Sequence, residues 1–124
     1  MVFNVVAVNQ DDHVKNLSFH MLPDGPWRLA PAYDITFARG LGYTSQHQLR
    51  IADKRADITS AELTAVGRGF GIRAPHRIVE RTLEVTARWT DYAREVEVPA
   101  DSVAHIEKEL AQRRRELAHG SSPK

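Results

Sequence analysis

The sequence contains no cysteine, no long apolar run and no excess of charge of one sign. The absence of cysteine excludes disulfides, thiolate nucleophiles and Cys-based zinc sites, and it suits a reducing compartment. The apolar start at residues 1–8 is far shorter than the roughly 20 residues of a membrane-spanning helix, and it lacks the basic flank of a signal peptide. Because 17 basic and 16 acidic residues nearly cancel, composition favours neither nucleic acid nor an anionic membrane as a partner. We therefore expect a cytoplasmic protein without a membrane contact.

The length and the balance of hydrophobic and charged residues indicate one globular domain. The chain has 124 residues, of which 42% are hydrophobic and 27% charged, and this is enough for an ordinary core. We assign the domain to residues 1–119 and expect a flexible tail at residues 120–124. The chain opens inside an apolar run with no cap or turn before it, which is typical of a piece cut from a longer protein.

A short β-hairpin is predicted near the N-terminus. Residues 17–21 and 27–31 have the strand pattern, and a strong turn signal, Pro23-Asp24-Gly25-Pro26, separates them. The apolar run at residues 2–8 fits a buried helix or a buried strand, because periodicity does not separate the two over so short a segment.

The second half of the chain has the pattern of three helices. Thr59 and Glu62 have the spacing of a capping box, so a helix is expected over residues 60–67, with the glycines that follow as its stop. A second helix is expected from Pro75 to about residue 96, and a third begins at Pro99. Residues 36–46 are predicted to be a mobile loop and residues 47–51 a candidate strand. The predicted fold class is α+β, mostly helical.

Three oxygen-bearing side chains around the hairpin point to phosphoryl transfer. That reaction needs a carboxylate to orient the attacking hydroxyl and oxygen ligands for Mg²⁺. Protein kinases place the base Asp and a metal-binding Asn five residues apart on one loop, and a second metal-binding Asp after the next hairpin. Asp11 and Asn16 have this separation, and Asp34 follows the hairpin. Taken alone, the polar run at residues 9–12 is more often a simple turn.

Two segments, taken together with their order and spacing, give a more specific indication of function. The first reads Asp11-Asp12-His13-Val14-Lys15-Asn16, and the second reads Trp27-Arg28-Leu29-Ala30-Pro31-Ala32-Tyr33-Asp34-Ile35. Together they resemble the C-terminal half of the HipA toxin kinases. The resemblance implies a protein-kinase-like C-lobe, with the hairpin next to the catalytic loop and three C-terminal helices behind it. It also implies the use of ATP and Mg²⁺ to phosphorylate a serine on a translation-linked protein.

The resemblance assigns a role to each matched residue. Asp11 would be the catalytic base, while Asn16 and Asp34 would bind the cofactor as Mg²⁺ ligands. His13 would support catalysis by fixing the loop through hydrogen bonds, and Lys15 would neutralise the transferring phosphoryl group. At Asp12, where the family often has a small or polar residue, we expect a solvated neighbour without a role.

Partners also follow from the resemblance. Such kinases are usually neutralised by a DNA-binding HipB-like antitoxin, so nucleic acid would be contacted only indirectly, through that antitoxin. No N-lobe lysine or glycine-rich phosphate cover is recognisable, and we therefore expect a truncated C-lobe that is inactive alone or nearly so. Apolar surface left at Val2, Phe3, Val5 and Val6 would favour self-association.

Two other functions remain open. The chain could be a kinase-derived binding module with vestigial acidic residues, or a metal-dependent phosphohydrolase suggested by Asp11-Asp12-His13. The second needs further ligands on the helices, where His76, His105, Asp91 and Asp101 lack paired spacing. Of the remaining features, residues 40–45 are interpreted as loop, Trp89 and Tyr92 as core, and Arg113-Arg114-Arg115 as a solvated helix face.

Overall fold

Five α-helices and one two-stranded antiparallel sheet form the regular structure of residues 1–119, the part of the chain that the computed structural model describes. The predicted tail at residues 120–124 lies outside the described residues. Helices account for about half of the described part, which is an α+β composition. The elements are α1 (Val2–Val6), β1 (Phe19–His20), β2 (Arg28–Leu29), α2 (Ser60–Gly69), α3 (Pro75–Thr86), α4 (Trp89–Glu95) and α5 (Ala100–His119).

The apolar N-terminal run forms α1, which settles the ambiguity between helix and strand. Val5 and Val6 are completely buried, so they belong to the chain's own core. The prediction that they form part of an exposed self-association surface is therefore wrong. After α1 the backbone turns sharply at Val8, whose φ of 55° lies in the left-handed region. A β-branched residue rarely adopts this conformation, which costs on the order of 1–3 kcal/mol.

The predicted hairpin is present, although its strands are only two residues long. Phe19 pairs with Leu29 and His20 with Arg28. The turn is closed by a hydrogen bond from the Gly25 N–H to the Leu22 carbonyl at 2.9 Å. All four strand residues are exposed. The position of the sheet is therefore set by the segments that flank it, because little of its own surface is buried.

Helix α2 begins at its predicted cap and ends within the glycine cluster predicted to stop it. The Thr59 hydroxyl accepts the Glu62 N–H while the Glu62 carboxylate accepts the Thr59 N–H, which is a complete capping box. At the other end, Gly71 has a φ of 75° and closes a Schellman motif, in which Ile72 N–H donates to the Gly67 carbonyl at 3.0 Å. The helix runs two residues beyond the predicted end.

The predicted second helix is two helices, α3 and α4, with a break at residues 87–88. The Thr86 hydroxyl donates back to the Thr82 and Leu83 carbonyls, which bends helices locally. The Thr86 carbonyl, which a continuous helix would use, instead accepts a hydrogen bond from the Arg114 guanidinium at 3.2 Å. This contact from α5 thus caps the C-terminal end of α3. The local periodicity of the sequence does not indicate it.

Helix α5 joins the N-terminal and central parts of the core. The buried core cluster comprises Val5, Val6, Ile51, Ile58, Leu63, Val79 and Leu117. Beside it, the Arg113 guanidinium donates to the Val5 carbonyl at 3.2 Å and to the Ile58 carbonyl at 2.6 Å. The prediction of a solvated face at Arg113 and Arg114 is wrong, because both side chains are mostly buried and donate to backbone carbonyls.

Residues 47–51 form no strand of their own. Ile51 and Lys54 make an isolated antiparallel bridge around Ala52 and Asp53, both of which have positive φ. That geometry is a two-residue turn with left-handed central residues. The predicted loop at residues 36–46 contains a short 3₁₀ turn at Gly42–Ser45.

Candidate active site

A 3₁₀ turn at Val14–Asn16 closes the loop that carries most of the predicted catalytic residues. The Asn16 side-chain amide donates to the Asp11 carbonyl at 3.1 Å, and the Asn16 N–H donates to the His13 carbonyl at 3.1 Å. We call residues 11–16 the catalytic loop from here on. The five-residue spacing of Asp11 and Asn16 thus has a structural meaning, because it lets one side chain close the loop on the other's backbone.

The chain after the hairpin lies against the start of this loop. Gln10 N–H donates to the Ala38 carbonyl at 2.8 Å, and Ala38 N–H donates to the Val8 carbonyl at 3.1 Å. From the hairpin side, the Tyr33 hydroxyl donates to the Lys15 carbonyl at 2.5 Å. These contacts hold the segment after the hairpin, from Tyr33 to Ala38, beside the catalytic loop and the residues just before it.

Asp34 adopts a left-handed conformation, with a φ of 54°. Aspartate is among the few residues other than glycine that tolerate this region. The buried Asn9 side chain donates to the Asp34 carbonyl at 3.1 Å and so holds the turn. Sequence reasoning missed this role of Asn9, since a buried asparagine has no local sequence signature.

Asn16 and Asp34 line one cavity of about 310 Å³, together with His13. The wall on the hairpin side is apolar and includes Leu17, Leu29 and Pro31. The two residues predicted to bind Mg²⁺ therefore line the same cavity. Asp11 and Lys15 do not line this cavity, although Asp11 is joined to Asn16 by the hydrogen bond between them.

The oxygen donors in the cavity fit Mg²⁺. Within the described residues, neither the Asp34 carboxylate nor the Asn16 side-chain carbonyl accepts a hydrogen bond, so both remain available to a ligand. Mg²⁺ is usually held by one or two such oxygen ligands and completes its shell with substrate phosphates and water. No group of three or more His, Cys, Asp or Glu side chains suited to a metal occurs in residues 1–119.

His13 and Lys15 differ from what the resemblance implies. The His13 Nδ1 is buried without a hydrogen-bond partner in the described residues, and its Nε2 lies 3.8 Å from the Asp11 Oδ1, beyond hydrogen-bonding distance. The hydrogen bonds expected to fix the loop through His13 are thus not present. The Lys15 side chain is exposed and points to no described acceptor.

Asp12 is buried, and the prediction of a solvated neighbour is wrong. Its carboxylate lies 2.9 Å from the His47 Nδ1 and accepts the N–H groups of Gln48 and Leu49 at 2.7 and 3.3 Å. Burial raises the pKa of Asp12, but the hydrogen bond and charge of His47 and the two backbone donors outweigh it, so the pKa lies below its ordinary value. Sequence reasoning missed the pair because its partners come from a distant segment.

No helix within residues 1–119 combines the length and apolarity needed to span a bilayer.

The comparison with curated proteins found no match, and neither did the comparison with solved structures. The predicted likeness to a kinase C-lobe therefore stays a prediction. A family model described as the HipA-like C-terminal domain matches residues 1–116, which include residues 11–16, the hairpin, helices α1 to α4 and most of α5. On this match, the chain belongs to the HipA-like C-terminal domain family.

Proposed function

We propose that this chain supplies the catalytic base and the Mg²⁺ ligands of a HipA-like serine/threonine protein kinase that acts as a toxin in a toxin–antitoxin system. The reaction would transfer the terminal phosphoryl group of ATP to a serine hydroxyl of a protein. The observation that carries the proposal is the shared cavity of Asn16 and Asp34, with Asp11 hydrogen-bonded to Asn16.

In this proposal Asp11 accepts the proton of the attacking serine hydroxyl. Its carboxylate is partly exposed and makes no hydrogen bond within the described residues, so it is free to receive a donor from a substrate. General-base help of this kind contributes about 10² to 10⁴ in rate. Lys15 supplies the positive charge nearest to it along the loop and would neutralise the transferring group.

Asn16 and Asp34 would hold the metal ion through one amide oxygen and one carboxylate. When bound there, Mg²⁺ would supply positive charge that stabilises the negative charge developing during transfer. The closure of the loop by Asn16 orients the amide so that its nitrogen faces the Asp11 carbonyl. Its oxygen is thereby left for a ligand.

ATP binding requires more than these residues. Kinases use a lysine on an N-lobe strand and a glycine-rich cover over the phosphates. Strands β1 and β2 contain no lysine, and the Gly40-Leu41-Gly42 run lacks the third glycine of such a cover. The residues described here would therefore show little activity by themselves. The expected partners are a protein substrate and a HipB-like antitoxin.

Metal binding provides the direct test. Mn²⁺, a paramagnetic substitute for Mg²⁺, is expected to broaden the NMR signals of Asn16 and Asp34 in the full chain, and Asp34→Ala is expected to abolish the effect. Asp24→Ala is a matched control, because Asp24 also has a left-handed backbone, with a φ of 61°, but lies on the exposed hairpin turn. Equal Mn²⁺ binding by the parent and Asp34→Ala would contradict the proposed site.

Activity provides the second test. In a kinase that contains this chain together with an ATP-binding lobe, Asp11→Asn is expected to lower turnover by about 10² to 10⁴. The isolated chain, incubated with labelled ATP and Mg²⁺, is expected to transfer little or no label. Unchanged turnover in Asp11→Asn would remove Asp11 from the site, and strong labelling by the isolated chain would refute the need for another lobe.

The exposed hairpin favours a second candidate, a non-catalytic binding module. Phe19, Trp27 and Leu29 are all more than half exposed, and clustered apolar side chains on a surface mark interaction sites. In this function the chain would contact an antitoxin or another copy of itself, with the acidic residues vestigial. Failure to bind Mg²⁺ and ATP in the presence of an ATP-binding lobe would favour it.

A further inference from the structure

A buried carboxylate–imidazole pair joins Asp12 of the catalytic loop to His47, and the proposed mechanism does not use it. Asp12 is 1% exposed and His47 is 4% exposed, and the Asp12 Oδ2 lies 2.9 Å from the His47 Nδ1. Groups of this kind are rarely buried unless a partner compensates for their lost hydration. The pair therefore specifies one arrangement of two segments that lie 35 positions apart in the chain.

Within residues 1–119, the hydrogen bonds that the Asp12 carboxylate accepts all come from three consecutive residues. Besides the imidazole of His47, the Gln48 and Leu49 N–H groups donate to the Asp12 Oδ1 at 2.7 and 3.3 Å. Because the donors converge on one carboxylate, residues 47–49 cannot shift along the loop without breaking all three contacts together. The low pKa of Asp12 keeps this acceptor charged at neutral pH, and charged acceptors form the stronger hydrogen bonds.

The same segment also contacts the residue before Asp11. The Gln48 side-chain amide donates to the Gln10 carbonyl at 3.4 Å. Asp11 thus lies between two neighbours, Gln10 and Asp12, that are both attached to residues 47–49. Since the Asp11 carboxylate makes no hydrogen bond of its own in the described residues, its direction is set by this backbone.

We propose that the Asp12–His47 pair is a positioning device that holds Asp11 and Asn16 in the arrangement required for phosphoryl transfer. The inference rests on the proposed function, which gives Asp11 and Asn16 their roles. Neither member acts as a catalytic residue. Asp12 itself lines the Asn16–Asp34 cavity, but its carboxylate is occupied by the three donors of residues 47–49, and His47 lines a separate cavity of about 220 Å³. Supporting contacts of this kind hold reacting groups within about 0.5 Å of a productive geometry.

Amide hydrogen exchange in the full chain tests the pair. The reporters are the N–H groups of Gln10 and Asn16, which are hydrogen-bonded to other residues and untouched by the substitutions. His47→Leu removes the donor at similar size, whereas His47→Asn keeps an N–H donor near the position of the ring Nδ1. We expect exchange at both reporters to be about tenfold faster in His47→Leu and within about twofold of the parent in His47→Asn.

The amide of the buried Leu63, which donates to the Thr59 carbonyl at the N-cap of α2, serves as the reference for stability away from the loop. Unchanged exchange at Gln10 and Asn16 in His47→Leu would overturn the proposal. Equal acceleration in His47→Asn would overturn it too, because the bulk of the ring rather than its hydrogen bond would then matter. If His47→Leu does not fold, Asp12→Asn is the deciding variant. Its exchange at Gln10 and Asn16 is expected to be about threefold faster than in the parent, because a charged acceptor is lost.

Mn²⁺ titration separates this inference from the proposed function. If the parent binds Mn²⁺ at Asn16 and Asp34, His47→Leu is expected to weaken that binding about tenfold and His47→Asn to leave it unchanged. Equal affinity in the parent and His47→Leu would contradict the positioning role. If the parent itself shows no Mn²⁺ binding, the proposed metal site fails, while the exchange comparison still decides whether the pair holds the loop.

Discussion

Residues 58–119 fold into four helices around buried apolar side chains. Residues 1–57 instead contain one short helix, a hairpin whose strands are two residues long, and long irregular segments. In the first region α2, α3 and α5 carry apolar side chains such as Leu63 and Leu117 into one core. In the second, the hairpin leaves large apolar side chains exposed. Hydrogen bonds between side chains and backbone groups fix the catalytic loop through Asp12 and Asn16 and the turn at Asp34 through Asn9. Stability and chemistry thus depend on different kinds of contact, and this separation can be tested.

Truncating the core should produce the largest effect. Leu63 is almost fully buried in the core cluster. Leu63→Ala is expected to lower the free energy of unfolding by about 2–5 kcal/mol, because it removes apolar contacts and leaves a cavity. Leu41→Ala, at a fully exposed position of the irregular region, should change it by less than about 0.5 kcal/mol. Urea denaturation of both variants measures the difference, and similar losses would refute the comparison.

Removal of the α2 cap should have an intermediate effect. Thr59→Ala removes the hydroxyl that accepts the Glu62 N–H, although the backbone half of the capping box remains, and it is expected to cost about 0.5–2 kcal/mol. Thr64→Ala, in the interior of the same helix, is the matched control and should be neutral or slightly stabilising, because alanine is the better helix former. Thermal unfolding measures both, and an equal loss in the two variants would show that the cap contributes nothing specific.

Acid should weaken the irregular region through Asp12. Because the pKa of Asp12 is lower in the folded chain than in the unfolded one, protonation favours unfolding. The stability that the charged Asp12 carboxylate contributes is therefore complete above the ordinary carboxyl pKa of about 4. It is lost as the pH falls below that value. Asp12→Asn should flatten the decline of stability in this acid range, whereas Asp24→Asn on the exposed turn should not. Parallel curves for the parent and Asp12→Asn would contradict this linkage.

The smallest effect on stability is expected at the hairpin. Trp27→Ser should change the free energy of unfolding by less than about 0.5 kcal/mol, since Trp27 is exposed. The same substitution should reduce self-association in sedimentation experiments if the hairpin is the associating surface, with Leu41→Ser as a control for exposed apolar area elsewhere. A parent that stays monomeric over a wide concentration range would remove self-association from the proposal.

The sequence predicted the elements that short-range chemistry controls. The capping box of Thr59 and Glu62, the hairpin turn and the helix stop near Gly71 all occur where their residues indicate, because each depends on neighbours within a few positions. The spacing of Asp11 and Asn16 likewise corresponds to a direct hydrogen bond. The break between α3 and α4 could not be foreseen, since it depends on Arg114 of a later helix.

For the candidate site, the sequence by itself determined which side chains carry oxygen ligands and a base, and in what order they follow along the chain. Only the tertiary structure decided that Asp12 is a buried anchor, that His47 is its partner and that Asn9 holds the turn at Asp34. These contacts join segments that lie far apart in the chain, so no local pattern encodes them. Burial then turns each polar group from a solvated side chain into one that must be satisfied by a specific partner.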